Sequence, residues 1–434
     1  MKFLVFFLVA SVFLGTDILA LPLPVLQLSI YRITVLVITF VFVAKIMIRD
    51  PKVNFSLSDR INSYQVVYLT WLLYAMVSVL WAESTSRWIF GVFFVGLGVM
   101  SIFYITFFIR EEKDLKTLFY IFFFMSAFQQ WLGWYELFIH RFILGNSSYA
   151  PTSTFGNIND YATLILAGMF FGLIVYFFTS KLAIKLYTIF HLFSGLALLF
   201  ISGSRGNLLA LIVGIFTLLV VNILNSRHTR KIVKILLILF TIMFLAFILI
   251  PPVQTIGYNI LDSIITNFFR MGGSNRYRIN LLLNGFAFLV QTFGLGVGAG
   301  NIEYWLQNKP VFPDIDAVNM HNWFMEILTA YGVFIFIIYV VMYVYITRQL
   351  YKNYRYSNNQ FIRSTSMVLF TYVIAFLISS ISSASNIFIE WQWVMWGIII
   401  AFTAYSERKQ YSLESKTIKR DDHGQIIRTE QARS

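Results

Sequence analysis

Residues 251–324 read PPVQTIGYNILDSIITNFFRMGGSNRYRINLLLNGFAFLVQTFGLGVGAGNIEYWLQNKPVFPDIDAVNMHNWF. This stretch is the long polar interruption in a chain that is otherwise a series of apolar segments. Its landmarks, in order, are Arg270, Arg276, Arg278, a glycine run over 294–300 and His321. Because a polar substrate needs polar partners, we expect most of the chemistry of this protein to lie here.

Composition indicates an all-α polytopic membrane protein. Of the 434 residues, 58% are hydrophobic and 12% are charged, whereas soluble proteins have about a quarter charged residues. Apolar runs of about 18 residues or more recur along the chain, which is the length a membrane-spanning helix requires. The net charge of +13 is attributed to basic cytoplasmic loops rather than to nucleic-acid binding. The absence of cysteine excludes disulfides, thiolate metal ligands and cysteine nucleophiles.

About twelve transmembrane helices are predicted, with one long extracytoplasmic loop between the ninth and the tenth. The predicted spans are 3–21, 28–48, 64–82, 88–109, 115–139, 160–179, 183–201, 205–224, 232–250, 322–346, 364–384 and 389–406. This divides the chain into helices 1–9 over residues 1–250, a catalytic loop with a short interfacial helix over 251–321, helices 10–12 over 322–406, and a cytoplasmic tail over 407–434. The tail is charged and aperiodic, so we expect it to be disordered.

The distribution of Lys and Arg predicts the orientation. With the N-terminus in the cytoplasm, every inside loop is basic and the short outside loops carry almost no positive charge. Both termini are therefore expected in the cytoplasm, and residues 251–321 outside the cell membrane. Segment 279–293 is apolar but too short to span, so it predicts a helix at the interface or re-entering the bilayer. In the outside loop 140–159, Asn159 or Asp160 is predicted to cap the sixth span.

Arginines on the outer side depart from the positive-inside pattern and are candidate functional residues. Arg205 begins the eighth predicted span, where it could serve a site or reach lipid headgroups. Arg270, Arg276 and Arg278 lie beside Gly272-Gly273, and guanidinium groups bind phosphate oxygens through paired hydrogen bonds. These arginines could hold a lipid-linked diphosphate; the alternative is contact with anionic headgroups.

His321 is the candidate general base, because a histidine can be neutral near pH 7 and accept a proton. The alternative is a structural histidine at the end of a span. We interpret the other histidines as structural: His140, His191 and His228. The run Gly294–Gly300 indicates a tight loop or close backbone approach, and no βαβ unit surrounds it to support nucleotide binding. Asp314 and Asp316 are weak evidence for a metal, so no cofactor and no metal site is expected.

The order and spacing of several motifs resemble those of the O-antigen ligase and polymerase superfamily of bacterial membrane glycosyltransferases. The motifs are Phe155-Gly-Asn-Ile-Asn-Asp-Tyr-Ala162, Ser204-Arg-Gly-Asn-Leu-Leu-Ala-Leu211, Ser274-Asn-Arg276, Gly294-Leu-Gly-Val-Gly-Ala-Gly-Asn301, His321-Asn322 and Tyr331-Gly-Val333. They extend over about residues 150–345, and the topology covers the whole chain. One departure is Ile158, where many relatives have proline.

This resemblance implies a fold of the GT-C-like type and a metal-independent, inverting glycosyltransferase. The implied donor is a glycan on undecaprenyl diphosphate, and the implied acceptor is a sugar hydroxyl of a lipid-linked unit at the outer face of a bacterial cell membrane. By motif, the essential residues would be Arg205, Arg276 and His321, with Arg270 or Arg278 as substitutes for Arg276.

The sequence thus predicts a polymerase that extends a cell-surface polysaccharide such as teichuronic acid, capsule, exopolysaccharide or O-antigen. The second hypothesis is a ligase that moves finished glycan to a terminal acceptor such as lipid A core. A lipid-linked oligosaccharide flippase is a third, but it is expected to have pseudo-symmetric halves and intramembrane charges, and neither is visible. A non-catalytic assembly partner is the fourth. A Phe-, Ile- and Asn-rich chain without cysteine favours a low-GC Gram-positive source, and hence the polymerase.

Overall fold

The computed structural model describes residues 1–15, 20–22, 27–48, 62–140, 142–144, 150–225, 274–313, 315, 318–420 and 426–428. The predicted ninth span, 232–250, and the glycine pair at 272–273 lie outside the described residues. So do four residues considered above: Arg270, His228, Asp314 and Asp316.

The described chain is built almost entirely of helices. They are α1 (Lys2–Ser11), α2 (Ile30–Met47), α3 (Ser63–Val77), α4 (Thr85–Phe108), α5 (Glu112–Ile139), α6 (Ile158–Phe178), α7 (Leu182–Ser202), α8 (Arg205–Asn225), α9 (Ser274–Gln291), α10 (Ile302–Asn308), α11 (Trp323–Tyr356), α12 (Gln360–Ser379) and α13 (Glu390–Thr417). Two short antiparallel pairs join β1 (Ala20–Pro22) to β2 (Gln27–Ser29) and β3 (Ile418–Arg420) to β4 (Ile426–Arg428).

Eight of the described helices are long and apolar enough to cross a membrane, so the chain is an all-α polytopic membrane protein. These eight are α2, α3 with the turn that follows it, α4, α6, α7, α8, α11 and α12. Each predicted span except 232–250 coincides with a helix, but α1, α5 and α13 are not among the eight. The total of twelve transmembrane helices therefore stays a prediction.

The predicted end of the first span, at residue 21, is wrong. Helix α1 ends at Ser11 and one 3₁₀ turn, Val12–Leu14, extends it. Gly15 then adopts φ +77°, where a Cβ would lie 2.8 Å from the carbonyl oxygen of Thr154. The helix therefore stops where its backbone meets the loop before α6, and residues 20–22 are already in a strand.

Hydrogen bonds connect the helix ends into two groups, each made of segments predicted on the same side of the membrane. At the end predicted outside, Ser84 pairs with Asn301 and Arg87 with Glu303. At the opposite end, Tyr354 donates to Asn222. Between the ends, α4 packs along α13, α8 along α12, and α6 between α5, α7 and α12.

The glycine run 294–300 inserts into a break in helix α11. Gly332 has φ +72° and ψ −177°, a conformation essentially restricted to glycine, and it interrupts the helix. The interruption frees the carbonyls of Thr329 and Ala330, which accept hydrogen bonds from the amides of Val297 and Gly298 at 2.8 and 2.9 Å. A Cβ on Gly332 would lie 2.2 Å from the Gly294 oxygen, so the predicted close backbone approach is confirmed.

An aromatic cluster fixes the start of α11, immediately after His321. Trp323 is fully buried, lies 5.6 Å from the ring of Trp393 and donates through Nε1 to the Tyr339 hydroxyl at 2.8 Å. Trp71 packs against the same rings at centroid distances near 5 to 6 Å. Because ring packing holds a buried tryptophan firmly, the position of His321 relative to the helices is set by this cluster.

Candidate functional site

The loop that connects α12 to α13 is the centre of the candidate site. We name residues 380–386, Ser-Ile-Ser-Ser-Ala-Ser-Asn, the serine loop. The Glu326 carboxylate on α11 accepts the amides of Asn386 and Ile387, each at 2.9 Å. The Asn386 side chain donates both to Glu326 and to the Ser380 carbonyl. A buried carboxylate that accepts several N–H groups fixes the loop rigidly.

His321 lies against the serine loop. Its backbone is left-handed, with φ 51°, and its amide donates to the Ala384 carbonyl at 3.2 Å. Asn322 caps α11 by accepting the amides of Phe324 and Met325. The Trp323 amide donates to Ser380 at 3.3 Å. Cap and loop together therefore orient the imidazole.

The surroundings of the His321 ring favour its neutral form. Burial lowers its pKa, and the positive charge of Arg278 lowers it further, while the carbonyls of Ser382 and Ser383 act in the opposite direction. The Nδ1 atom is buried and has no hydrogen-bond partner within the described ranges. A ring N–H that donates to a carbonyl leaves the other nitrogen as an acceptor, the state that a general base requires.

Arg278 is the loop arginine that the structure brings to His321. It projects from α9, is half-buried, and its Nη1 lies 3.5 Å from the Ile381 carbonyl of the serine loop. Burial lowers the pKa of its guanidinium. Arg276 is two residues earlier on the same helix, so it points away from Arg278, and its side chain is exposed. Helix α9 covers the predicted 279–293 segment and packs against α11.

Arg205 begins the helix whose next residue contacts the serine loop. It is the first residue of α8 and is exposed, and its guanidinium forms no hydrogen bond or ion pair with the part of the chain that the structure describes. The next residue, Gly206, packs so closely that a Cβ would lie 2.1 Å from Ser382 Oγ. The ring of His321 faces the carbonyl of the same Ser382. Gly206, the neighbour of Arg205, and the ring of His321 thus both lie against Ser382.

Two motifs that are distant in sequence are joined behind Arg205. The Ser204 hydroxyl donates to Asn159 Oδ1 at 2.9 Å, and buried Asn207 donates to the Ser204 and Thr163 hydroxyls at 2.9 and 3.1 Å. Asp160 accepts the amide of Ala384 at 3.2 Å. The α6 cap is Asn157, so the prediction of Asn159 or Asp160 as the cap is wrong. Both residues instead hold other segments of the site.

Sequence reasoning missed the serine loop, although a signal was present. Five serines and an asparagine within residues 379–386 separate two apolar segments, and a span end gives no other reason for so many hydroxyls. Sequence reasoning also assigned no role to Glu326 or Glu136. Glu136 is fully buried and accepts the amides of Ile143, Thr152 and Ser153, so both carboxylates hold loops.

The remaining described histidines lie away from the serine loop. Within the described ranges no group of three or more His, Asp and Glu side chains could hold a metal ion. His140 ends α5 in a left-handed conformation. His191 is buried against Phe123 and lies 3.5 Å from Gln130.

The chain is similar to known proteins in two comparisons. Residues 190–340 match the O-Antigen ligase family model, a range that contains Arg205, Arg276, Arg278 and His321. The chain is similar to the teichuronic acid biosynthesis protein TuaE of Bacillus subtilis (strain 168), with 26% identity over 409 residues, 92% of this chain and 83% of that protein. Both comparisons support the resemblance to the O-antigen ligase and polymerase superfamily that the sequence motifs indicate.

Proposed function

We propose that this protein is a polysaccharide polymerase of a bacterial cell membrane. It transfers a growing glycan from undecaprenyl diphosphate to a sugar hydroxyl of the next lipid-linked repeat unit, at the outer face. The observation that carries the proposal is the convergence of His321, Arg278 and the start of α8 on the serine loop. This convergence supports a base and cations that act together at the end of the helices where the predicted outside segments meet.

The proposed reaction is a single displacement at the anomeric carbon. The acceptor hydroxyl gives its proton to the unprotonated nitrogen of His321 as its oxygen forms the new glycosidic bond. The bond from the anomeric carbon to the diphosphate oxygen breaks, and the leaving diphosphate keeps the electron pair. Attack opposite the leaving group inverts the anomeric configuration, and no metal takes part in these steps.

The proposed work of the arginines is to stabilise charge on the leaving diphosphate. Arg205, Arg276 and Arg278, with Arg270, are the candidate binding residues. One donor aimed at developing charge in a partly dry site contributes on the order of 3 kcal/mol to the transition state. A positioned base such as His321 contributes about a hundredfold or more in rate. Together these two effects lower the activation barrier without a cofactor.

An apolar groove supports a lipid-linked donor. It lies between α6, α7 and α8, has a volume of about 250 Å³, and is lined among others by Phe170, Leu173, Leu192, Leu196, Leu211 and Leu218. Leu211 is six residues from Arg205 on α8, about 9 Å along the helix axis. A diphosphate at Arg205 would therefore place its isoprenoid chain at the head of this groove.

The comparisons support a role in cell-surface polysaccharide synthesis. The relative in Bacillus subtilis is described as a teichuronic acid biosynthesis protein, and an anionic wall polysaccharide of this kind is the proposed product class. A ligase is the second candidate, because the matched family model is the O-Antigen ligase model. A flippase would need neither a base nor an inverted product.

The test is the substitution His321→Ala, compared with His140→Ala. His140 also has a positive φ, 54° against 51°, so the control matches the backbone effect of the change while leaving the site intact. We expect His321→Ala and Arg276→Ala to abolish polymer synthesis at normal membrane levels, and His140→Ala to preserve it. Unchanged polymer yield and length in His321→Ala and Arg276→Ala would exclude the proposed enzymatic activity.

The material that accumulates separates polymerase from ligase. Loss of a polymerase leaves single lipid-linked repeat units, whereas loss of a ligase leaves long lipid-linked polymer. Lipid extracts of cells that carry only the His321→Ala form are therefore compared by mass spectrometry with extracts of the His140→Ala control.

A further inference from the structure

A second cavity borders the serine loop. Its volume is about 220 Å³, and its described lining includes Thr154, Phe155, Asp160, Ser385, Glu390 and Trp391. One water needs about 15 Å³ by this measure, and pockets for small molecules begin near 300 Å³. The cavity is therefore many times the size of one water but below the usual range of small-molecule pockets, so its size favours a single ring over an oligosaccharide.

The cavity combines the two kinds of group that suit a sugar. Asp160 and Glu390 supply carboxylate oxygens, which accept hydrogen bonds from hydroxyls, and Phe155, Phe388 and Trp391 supply aromatic surface. Trp391 is only 1% exposed, and its Nε1 has no hydrogen-bond partner among the residues described. A buried indole N–H usually finds a partner, so this donor is unsatisfied beside the cavity.

The charge of the lining decides against the diphosphate end of the donor. The Asp160 carboxylate repels an anion, and the described residues of the wall include no arginine or lysine. The other carboxylate, Glu390, is already ion-paired with the buried Arg32. A neutral hydroxyl-bearing ring is the ligand that this lining accepts.

One residue connects the cavity to the proposed base. Ala384 lines the cavity, its amide donates to Asp160, and its carbonyl accepts the amide of His321. A ring held by Asp160 is thus separated from the His321 backbone by a single residue of the serine loop. The ring and the histidine would therefore be positioned by the same residue.

We infer that this cavity binds the acceptor sugar, the ring whose hydroxyl is to be glycosylated. The inference rests on the proposed function, because it assigns the ring to the acceptor rather than to the donor. Asp160 would be the specificity-determining residue, since it lines the cavity and holds Ala384 at the same time.

The variant Asp160→Asn tests this assignment, because the amide oxygen can still accept the Ala384 amide while the charge is lost. In liposomes with purified lipid-linked donor and acceptor, we expect the KM for the acceptor to rise at least tenfold and the KM for the donor to stay within twofold. The control Glu83→Gln, which removes a partly exposed ion pair with Lys309, should change neither. A change confined to the donor KM, or no change, would overturn the inference.

Binding without turnover separates this inference from the proposed function. The probe is the repeat-unit oligosaccharide released from its lipid by mild acid, observed by saturation-transfer NMR with the wild-type protein. We expect a signal that Asp160→Asn weakens and His321→Ala retains. If His321→Ala keeps full polymerase activity but Asp160→Asn loses the signal, the proposed mechanism fails and the sugar pocket stands. If Asp160→Asn keeps the full signal, the pocket assignment fails.

Discussion

The amide of His321 donates a hydrogen bond to the carbonyl of Ala384 over 3.2 Å, and this contact joins the end of the long polar stretch to the loop between the last two helices. The positive charge of Arg278 lowers the pKa of the imidazole. Position and protonation state of the candidate base are therefore set by groups from two different parts of the chain. The first prediction follows from the effect of Arg278 on the pKa of His321.

We expect Arg278→Gln to move the acid limb of the pH–rate profile to higher pH. In the wild type the pKa of His321 lies below its usual value of 6.5, so the base is lost only under acidic conditions. Removing the positive charge of Arg278 raises this pKa, so protonation begins at higher pH. The measurement is kcat/KM between about pH 5 and pH 9.

The position of the limb, not the size of the activity, is the decisive quantity, because Arg278 is also a candidate diphosphate ligand. Arg87→Gln is the matched control, since Arg87 is at the same end but ion-paired with Glu303 at 2.6 Å. A limb that stays in place in Arg278→Gln would show that the charge does not act on the base.

Arg205→Lys tests whether paired hydrogen bonds or charge alone are needed at the start of α8. Lysine keeps the charge but loses the planar fork that binds two phosphate oxygens at once. We expect kcat/KM for the lipid-linked donor to fall roughly tenfold or more in Arg205→Lys, and further in Arg205→Ala. Equal activity of the lysine variant and the wild type would show that Arg205 acts through its charge alone.

Filling the apolar groove should weaken donor binding. Leu196→Trp places a large ring in the groove between α6, α7 and α8. Leu186→Trp, on the same helix α7, changes a side chain that is 58% exposed and outside the groove lining. We expect a KM for the donor raised roughly tenfold in the first variant only. The same KM in both variants would place the isoprenoid chain elsewhere.

Gly332→Ala should destabilise the protein by about 3 kcal/mol. The added Cβ would meet the Gly294 oxygen at 2.2 Å, in a conformation that only glycine tolerates. Gly203→Ala is the matched comparison, because Gly203 also has a positive φ, +63°, but nothing lies within 4 Å of its Cβ position. Its cost is about 1 kcal/mol.

Thermal unfolding in detergent measures both variants. A lower Tm in Gly332→Ala than in Gly203→Ala is expected. Equal losses would mean that the glycine run does not hold the break in α11, contrary to the contacts described above.

Glu326→Gln should loosen the serine loop. The Glu326 carboxylate accepts three N–H donors from residues 386 and 387. In glutamine, one of the two acceptor oxygens becomes an NH₂ group, which then faces an N–H donor. We expect a stability loss of about 2 kcal/mol together with lower activity. Unfolding of Glu303→Gln, which changes a half-buried ion pair, provides the comparison.

Much of the fold follows from local sequence. Long apolar runs must form helices in a bilayer because their backbone groups find no other partners there, so helix positions could be predicted with errors mainly at the ends. The end of α1 was misplaced because Gly15 turns against Thr154, a contact that apolarity does not encode. The interruption of α11 is likewise invisible in hydropathy, since Gly332 lies within an apolar run.

For the candidate site, sequence alone determined which residue types were available: a histidine, several arginines and a glycine run in one polar stretch, with Arg205 far from them. Only the tertiary structure decided that Arg278 faces His321 and that Asp160, Glu326 and Gly206 all contact the serine loop. The physical reason is range. Helix formation depends on neighbours a few residues apart, whereas a site is assembled by packing between helices whose relative positions no local pattern records.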